Sequence, residues 1–329
     1  MWRGATIEPS RAIAQKADRL GFDYLWLTEA WGLESLSTAG YLLGLTSKIK
    51  IGIGVLNVFS RSAALIGMAC ATLDQIAPNR FVLGLGSSAR GVVENWHGEP
   101  FSEPMQRTRE YVEIVKRVAR GDQLDYSGEI LKLSGLRLYT RPMKREQEIY
   151  IGAIGDKNLE LAGAISDGAI VTMYPLSKIS HALEVLERSN PSGKKKTLFL
   201  YLSMKIVSNS QEMENARNEV ARNISFYVAS MGKYYSRNLA ALGYDQMVKK
   251  ILAAHSEGGS KAATAAVDED LINELSMIGN VDEIREKLLK LPRNVVPVFA
   301  LDSPPTEDIT GLKLDELAPL VAELQRDVT

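Results

Sequence analysis

The chain is short of the residues that carry metal, thiol and nucleophile chemistry. It has one cysteine and three histidines in 329 residues. A lone cysteine excludes an intrachain disulfide framework and fits a reducing compartment. Cys70 lies among Ala, Met and Leu in a helical pattern and reads as a small core residue. No His-x-x-x-His pair or carboxylate cluster offers metal-ligand spacing, so no metal site is expected. Hydrolase chemistry has no Gly-x-Ser-x-Gly elbow to support it. No apolar run approaches the ~20 residues of a membrane span, and no signal-peptide pattern precedes the first helix. An excess of either charge is missing too: 39 Lys and Arg face 40 Asp and Glu, a net of −1. That leaves no basic field for nucleic acid or an anionic membrane. Lys194 to Lys196, after Pro191-Ser192-Gly193, reads as a solvated loop. A cytoplasmic protein is expected.

What is present is alternation. Apolar runs predict strands at Asp23 to Thr28, Ile49 to Asn57, Arg80 to Gly86, Glu148 to Ile154, Gly168 to Tyr174, Thr197 to Val207 and Asn294 to Leu301. Helical patterns fall between them, from Pro9 to Leu20 onward. Val, Ile and Leu run through these strands without alternation, as in parallel strands covered on both faces. Strand–helix repeats of this kind predict an α/β TIM barrel, which eight strands close. Seven are visible. Met1 to Glu8 is too short and irregular for an ordinary first strand, so that strand is either stunted or missing. One domain over residues 1–329 is expected, with two insertions. Gly121 to Gln147 reads as a hairpin turning at Ser134-Gly135. Gln211 to Leu291 reads as a helical excursion at the barrel mouth.

Three strand ends carry small residues: "IGIGVLNVFSR", "VLGLGSSARG" and "IGAIGDKN". Active sites of such barrels lie at that end, and several glycines at one rim suggest backbone approaching a ligand. After Gly152 to Gly155 a helix starts at once, and its first N–H groups make an anion seat. Asp156 stands where an N-cap would.

These pieces, with "GFDYLWLTEAW", "ATLDQIAPNRFVLGLGSS", "RTREYVEIVKRVARGDQLDYSGE" and "IGNVDEIREKLLKL", resemble the bacterial-luciferase-like superfamily. Within it they are similar to the coenzyme F420-dependent branch that includes methylenetetrahydromethanopterin reductase. The resemblance implies a tricyclic ring held at the barrel mouth, its back face on a non-prolyl cis peptide at Gly54–Val55. Asn57 would contact the ring, and Gly86, Ser87 and Ser88 would contact the cofactor from the next strand. Gly152, Ala153, Ile154, Gly155 and Lys157 would hold its phosphate. Departures from the family pattern are Ala30 in place of a histidine, Ala89 in place of a carboxylate, and Asp156 in place of a proline.

Glu29 is the leading catalytic candidate. It would orient substrate or shuttle a proton with its pKa raised by burial; the alternative is a capping or salt-bridged Glu. Trp31, His97 and Tyr174 are expected around the substrate, whereas His181 and His255 fall on helical patterns and read as surface or packing residues. Three functions stay open: hydride transfer with the deazaflavin F420 on a small organic substrate, an FMN-dependent monooxygenase, and a non-catalytic binder or partner subunit. A homodimer is implied by analogy with the family.

Overall fold

The structure is a computed structural model that describes residues 6–301 and 308–326. Its strands are β1 (Tyr24–Leu27), β2 (Lys50–Asn57), β3 (Phe81–Gly86), β4 (Leu124–Ser127), β5 (Lys132–Leu136), β6 (Ile149–Gly152), β7 (Gly168–Thr172), β8 (Thr197–Ile206), β9 (Ser276–Gly279) and β10 (Val295–Phe299). The helices around them are α1 (Glu8–Leu20), α2 (Ser35–Leu45), α3 (Ala63–Ile76), α4 (Arg90–Asn95), α5 (Pro104–Ala119), α6 (Asp156–Ile165) and α7 (Ile179–Arg188). Then follow α8 (Ser210–Ala229), α9 (Lys233–Leu239), α10 (Asp245–Ala265), α11 (Glu269–Leu275), α12 (Val281–Leu289) and α13 (Leu314–Arg326).

The main sheet is parallel, in the order β1-β2-β3-β6-β7-β8-β10. Ile51, Ile53 and Leu56 of β2 and Leu83 and Leu85 of β3 are wholly buried, which explains why these strands lack alternation. Inside the sheet's curve, Phe199 meets Trp26 and Tyr150 edge-on, with centroids 4.7 and 4.8 Å apart. The expected α/β barrel fold with its parallel sheet is present, and the sheet does not close among the described residues. Among the described residues no strand lies between β1 and β10, and a cavity of about 1680 Å³ runs along that seam. The candidate first strand falls largely on residues 1–5, outside the described residues.

Two expectations change. The tract from Gln211 to Leu291 is not wholly helical: β9 lies inside it and pairs with Ser203 to Ile206 at the far half of β8. Four residues leave no periodicity to read, and the partner strand is some 70 positions upstream. The helices α8, α10 and α11 then build an apolar cluster of their own around Ile224, Val248 and Ile251. The hairpin β4–β5 exists, but its turn closes at Gly128–Leu131. Ser134 and Gly135 lie within β5. Buried Glu110 decides this turn, since its carboxylate accepts from the N–H groups of Glu129, Ile130 and Leu131.

A second carboxylate organises the entry to the sheet. Asp18 on α1 accepts from the backbone N–H of Ser47, Lys48 and Ile49, and from the Ser47 hydroxyl. Burial opposes its charge, but the donors of Ile49, Ser47 and Lys48 outweigh it and bring the carboxyl down to about 2. A folded pKa below the unfolded one adds stability above the ordinary carboxylate range, which is lost as pH falls through about 2. Asp18→Asn should cost about 1–2 kcal/mol at neutral pH. In denaturant titrations the gap between variant and wild type should narrow below pH ~4; a gap independent of pH would show that the charge is not what matters.

Candidate active site

The rim formed by β2, β3 and β6 carries the backbone feature expected there: the Gly54–Val55 peptide is cis. The β2–β3 register slips between Ile53 and Leu56, so the chain bulges at this point. The bulge swings Val55 over its neighbours. A Cβ on Gly86 would come 2.7 Å from Val55, and one on Gly152 would come 2.8 Å from it. Similarly, a Cβ on Gly52 would strike the Trp26 indole, and one on Gly54 the Tyr201 hydroxyl. These glycines therefore make room for protein side chains rather than presenting bare main chain to a ligand. What the rim presents is the Val55 side chain, seated on Gly86 and Gly152.

Around it, Asn57 is buried, its Oδ1 accepts from the Phe59 N–H at 2.9 Å, and its Nδ2 has no partner among the described residues. A buried amide with an unused donor is costly unless a ligand takes it. Ser87 and Ser88 are half-buried in the turn after β3, with Ser88 at φ 59. Backbone held in that region is uncommon for a non-glycine residue and often marks a functional turn.

At the end of β6, Gly155 caps α6 at φ 84, ψ 166, a conformation that only glycine adopts without strain. The first bonds back to its carbonyl come from Asn158 and Leu159, which leaves the N–H groups of Asp156 and Lys157 without helical partners. The Ala153 N–H is spent on Ile170 of the sheet, so Ala153 has no donor for an anion. Asp156 does not cap the helix. It is the first helical residue, and its carboxylate meets His181 Nε2 at 2.9 Å, so His181 is tied to the seat after all. Lys157 is exposed, and Asn238 of α9 faces Gly155 across a gap in which a Cβ would sit 3.3 Å from its Oδ1.

Glu29 follows β1 and its side chain is 9% exposed. Arg61 Nη1 and Nη2 grip its two oxygens at 2.7 and 2.9 Å, and the Ser35 N–H and hydroxyl add 3.0 and 2.7 Å contacts. Arg61 also pairs with Glu34. Burial would raise the Glu29 pKa, yet the bonds from Arg61 and Ser35 outweigh it and lower it. The expected raised pKa is thus reversed, and Glu29 stands ionised.

Trp31 is exposed and lines the seam cavity together with Tyr201 and Met173. It also borders a second cavity of about 710 Å³. Neither His97 nor Tyr174 lines these two cavities. Tyr174 is buried, its hydroxyl has no partner, and burial pushes the phenol well up. The residues that sequence reading missed are Arg61, which holds Glu29, and Tyr201, whose hydroxyl lies under Gly54. Arg61 is the last residue of the quoted motif IGIGVLNVFSR that begins in β2, but nothing local shows that it reaches back to β1.

A family model described as luciferase-like monooxygenase matches residues 3–296. The chain belongs to this family. A 5,10-methylenetetrahydromethanopterin reductase of Archaeoglobus fulgidus is 29% identical over 292 residues, covering 88% of this chain and 87% of that protein. The fold matches that of the coenzyme F420-dependent tetrahydromethanopterin reductase of Methanopyrus kandleri, with a TM-score of 0.80 at 21% identity over 97% of this chain and 96% of that one. It also matches the FMN complex of the oxygenating constituent of 3,6-diketocamphane monooxygenase from Pseudomonas putida, with a TM-score of 0.73 at 15% identity, covering 98% and 96%. In all three comparisons the likeness extends over most of the chain, so the open seam is set within a luciferase-like barrel.

Proposed function

We propose that the protein is an oxidoreductase that transfers hydride between the deazaflavin F420 and a small organic substrate of the pterin type. The observation that carries this reading is the Val55 platform seated on Gly86 and Gly152, on the same rim as the Gly155 helix start, in a chain similar to a methylenetetrahydromethanopterin reductase. The unused Asn57 Nδ2 and the Asp156 and Lys157 N–H groups fit a flat polar ring with a phosphate-bearing tail.

Bound there, the deazaflavin supplies a carbon that gives or takes hydride. Val55 would back the ring, Asn57 would donate to its polar edge, and Gly155 with Lys157 would hold the phosphate. Glu29 and Glu34 share the single Arg61, and the net negative charge of the three would favour positive charge developing on a substrate nitrogen. Trp31 covers the approach and limits water. Tyr174 stays a neutral phenol, able to donate but not to act as a base.

FMN is the alternative cofactor, supported by the diketocamphane monooxygenase structure. Titration of each chromophore, followed by difference absorbance, tests the choice. F420 should bind at least about tenfold tighter than FMN, and the reverse order would replace hydride transfer with oxygenation. A homodimer is part of the proposal, supported by an apolar patch of Leu65, Met68 and Ile76 on α3, each 49% exposed, beside Tyr41 and Leu45 of α2. Leu65→Asp combined with Met68→Asp should give a monomer in sedimentation, and an unaltered dimer would place the interface elsewhere.

A further inference from the structure

At the opposite end of the sheet from the rim, the hairpin β4–β5 and the strap after it carry an exposed face with no part in the hydride chemistry. They link the C-terminus of α5 to the start of β6, where the parallel strands begin rather than end. β4 is the strand that lies against α5, and β5 is exposed at four of its five positions. The hairpin is a sheet of two strands, so β5 has a free outer edge. Among the described residues, Lys132 to Pro142 make no backbone–backbone bond outside the ladder with β4. The strap is nonetheless fixed at its far end. The Arg141 carbonyl accepts from Gln75 Nε2 on α3 at 3.3 Å, and the Met143 N–H donates to the Ala119 carbonyl at 2.9 Å.

Exposure and charge set this face apart. Leu136 is 79% exposed and Tyr139 wholly so, whereas Trp96 comes next at 66% and the other large apolar side chains reach at most 49%. Apolar groups held out on a fixed backbone suit a partner's surface, where Tyr and Arg are enriched. Lys132, Arg137, Arg141, Lys144 and Arg145 are all exposed, with no acidic residue between them in the sequence. Among the described residues none of the five makes an ion pair. Neighbouring carboxylates are engaged elsewhere: Glu146 with Lys116 and Arg120, Asp122 with Arg120, and Asp125 with the Gly135 N–H. Glu129, in the turn, offsets one of the five at most. A chain with a net charge of −1 thus gathers a local positive field here. Like charges also oppose the pairing of β5 with β5 of a second copy.

We infer that the outer edge of β5 is a docking site for an acidic, extended segment of a partner protein, added to the hairpin as a third strand. The main chain of β5 supplies the ladder, and the five cations select acidic side chains. Leu136 and Tyr139 take the apolar side chains that alternate with them, since every second residue of a strand faces the same way. The face lies at the far end of the sheet from Val55 and Gly155, so a partner held here leaves the mouth uncovered. The inference stands independently of the cofactor reading.

The probe is a fluorescent peptide of alternating Glu and Val, with alternating Lys and Val as its control, titrated into the full chain at low salt. The acidic peptide should bind at least about tenfold tighter than the basic one, an advantage that shrinks in high salt. Arg137→Glu combined with Lys144→Glu should weaken the acidic peptide at least about tenfold. Both side chains are exposed, so thermal melting should not change. On binding, hydrogen exchange should slow at the β5 amides and stay as before at the mouth. Absence of binding, equal affinity for the two peptides, less than a twofold loss in the variant, or no slowing in β5 overturns the docking site. Phosphatidylserine vesicles and single-stranded RNA are run beside the peptide. If either binds tighter than the peptide and loses that binding in the variant, the face serves a lipid or nucleic-acid surface and the inference fails. Slowed β5 exchange on raising the protein concentration alone would assign the edge to a second copy, and overturns it equally.

Discussion

Arg61→Ala should unfold the protein several degrees earlier and nearly abolish turnover, because it strands a carboxylate that is 9% exposed. Arg61 supplies both guanidinium contacts to Glu29 and one to Glu34. Removing one partner of a buried pair leaves the other charge uncompensated, at about 3–5 kcal/mol. The remaining Ser35 donors reduce this to about 2–4 kcal/mol, a fall in Tm of about 3–6 °C for a chain of this length. Glu29→Gln is the gentler partner experiment. It keeps the shape and the Ser35 contacts, so cofactor affinity should survive while turnover falls at least about tenfold. Glu29 has its pKa lowered, so its contribution to stability is present above the ordinary carboxylate range and lost as pH falls below it. No limb of a pH–rate profile between about pH 6 and 8 should therefore belong to Glu29. Unchanged turnover in Glu29→Gln, or a neutral limb that vanishes with it, would remove fixed charge from the mechanism.

Gly155→Ala should weaken cofactor binding strongly while leaving the fold largely intact. The backbone there, at φ 84 and ψ 166, strains any side chain, at a cost of about 1–3 kcal/mol. The added methyl would also sit 3.3 Å from Asn238 Oδ1, pressing α9 away from the seat. F420 should lose at least about thirtyfold in affinity, whereas the deazaflavin without its phosphate should bind as before. Equal losses for both would mean that Gly155 shapes the ring pocket and not the phosphate seat. Loss for neither would mean that no anion binds at this helix start.

How much of this was readable in advance differs from element to element. The parallel strands could be read because β2, β3 and β7 are unbroken apolar runs, as burial on both faces requires. The glycines at the rim were visible as well, but their purpose was not. Gly52, Gly86 and Gly152 accommodate Trp26 and Val55, which come from other strands or from a bulge, and no local pattern announces such contacts. Glu29 shows the same limit. Its position after β1 marked it as a candidate, while the sign of its pKa shift depended on Arg61, 32 residues away. β9 went unread because four residues carry no period, and only the projecting half of β8 makes them a strand.

Local backbone preference and hydrophobic pattern are properties of a few consecutive residues. From them alone came the strand–helix alternation, the parallel class of the sheet, the strand-end rim as the expected place of function and Gly155 as the start of a helix. The gap between β1 and β10 among the described residues, the ionised state of Glu29, the Val55 platform and the meeting of α9 with Gly155 belong to the tertiary structure. Each depends on distance between groups remote in the chain, and burial, Coulomb attraction and steric exclusion act on that distance whatever the order of the residues.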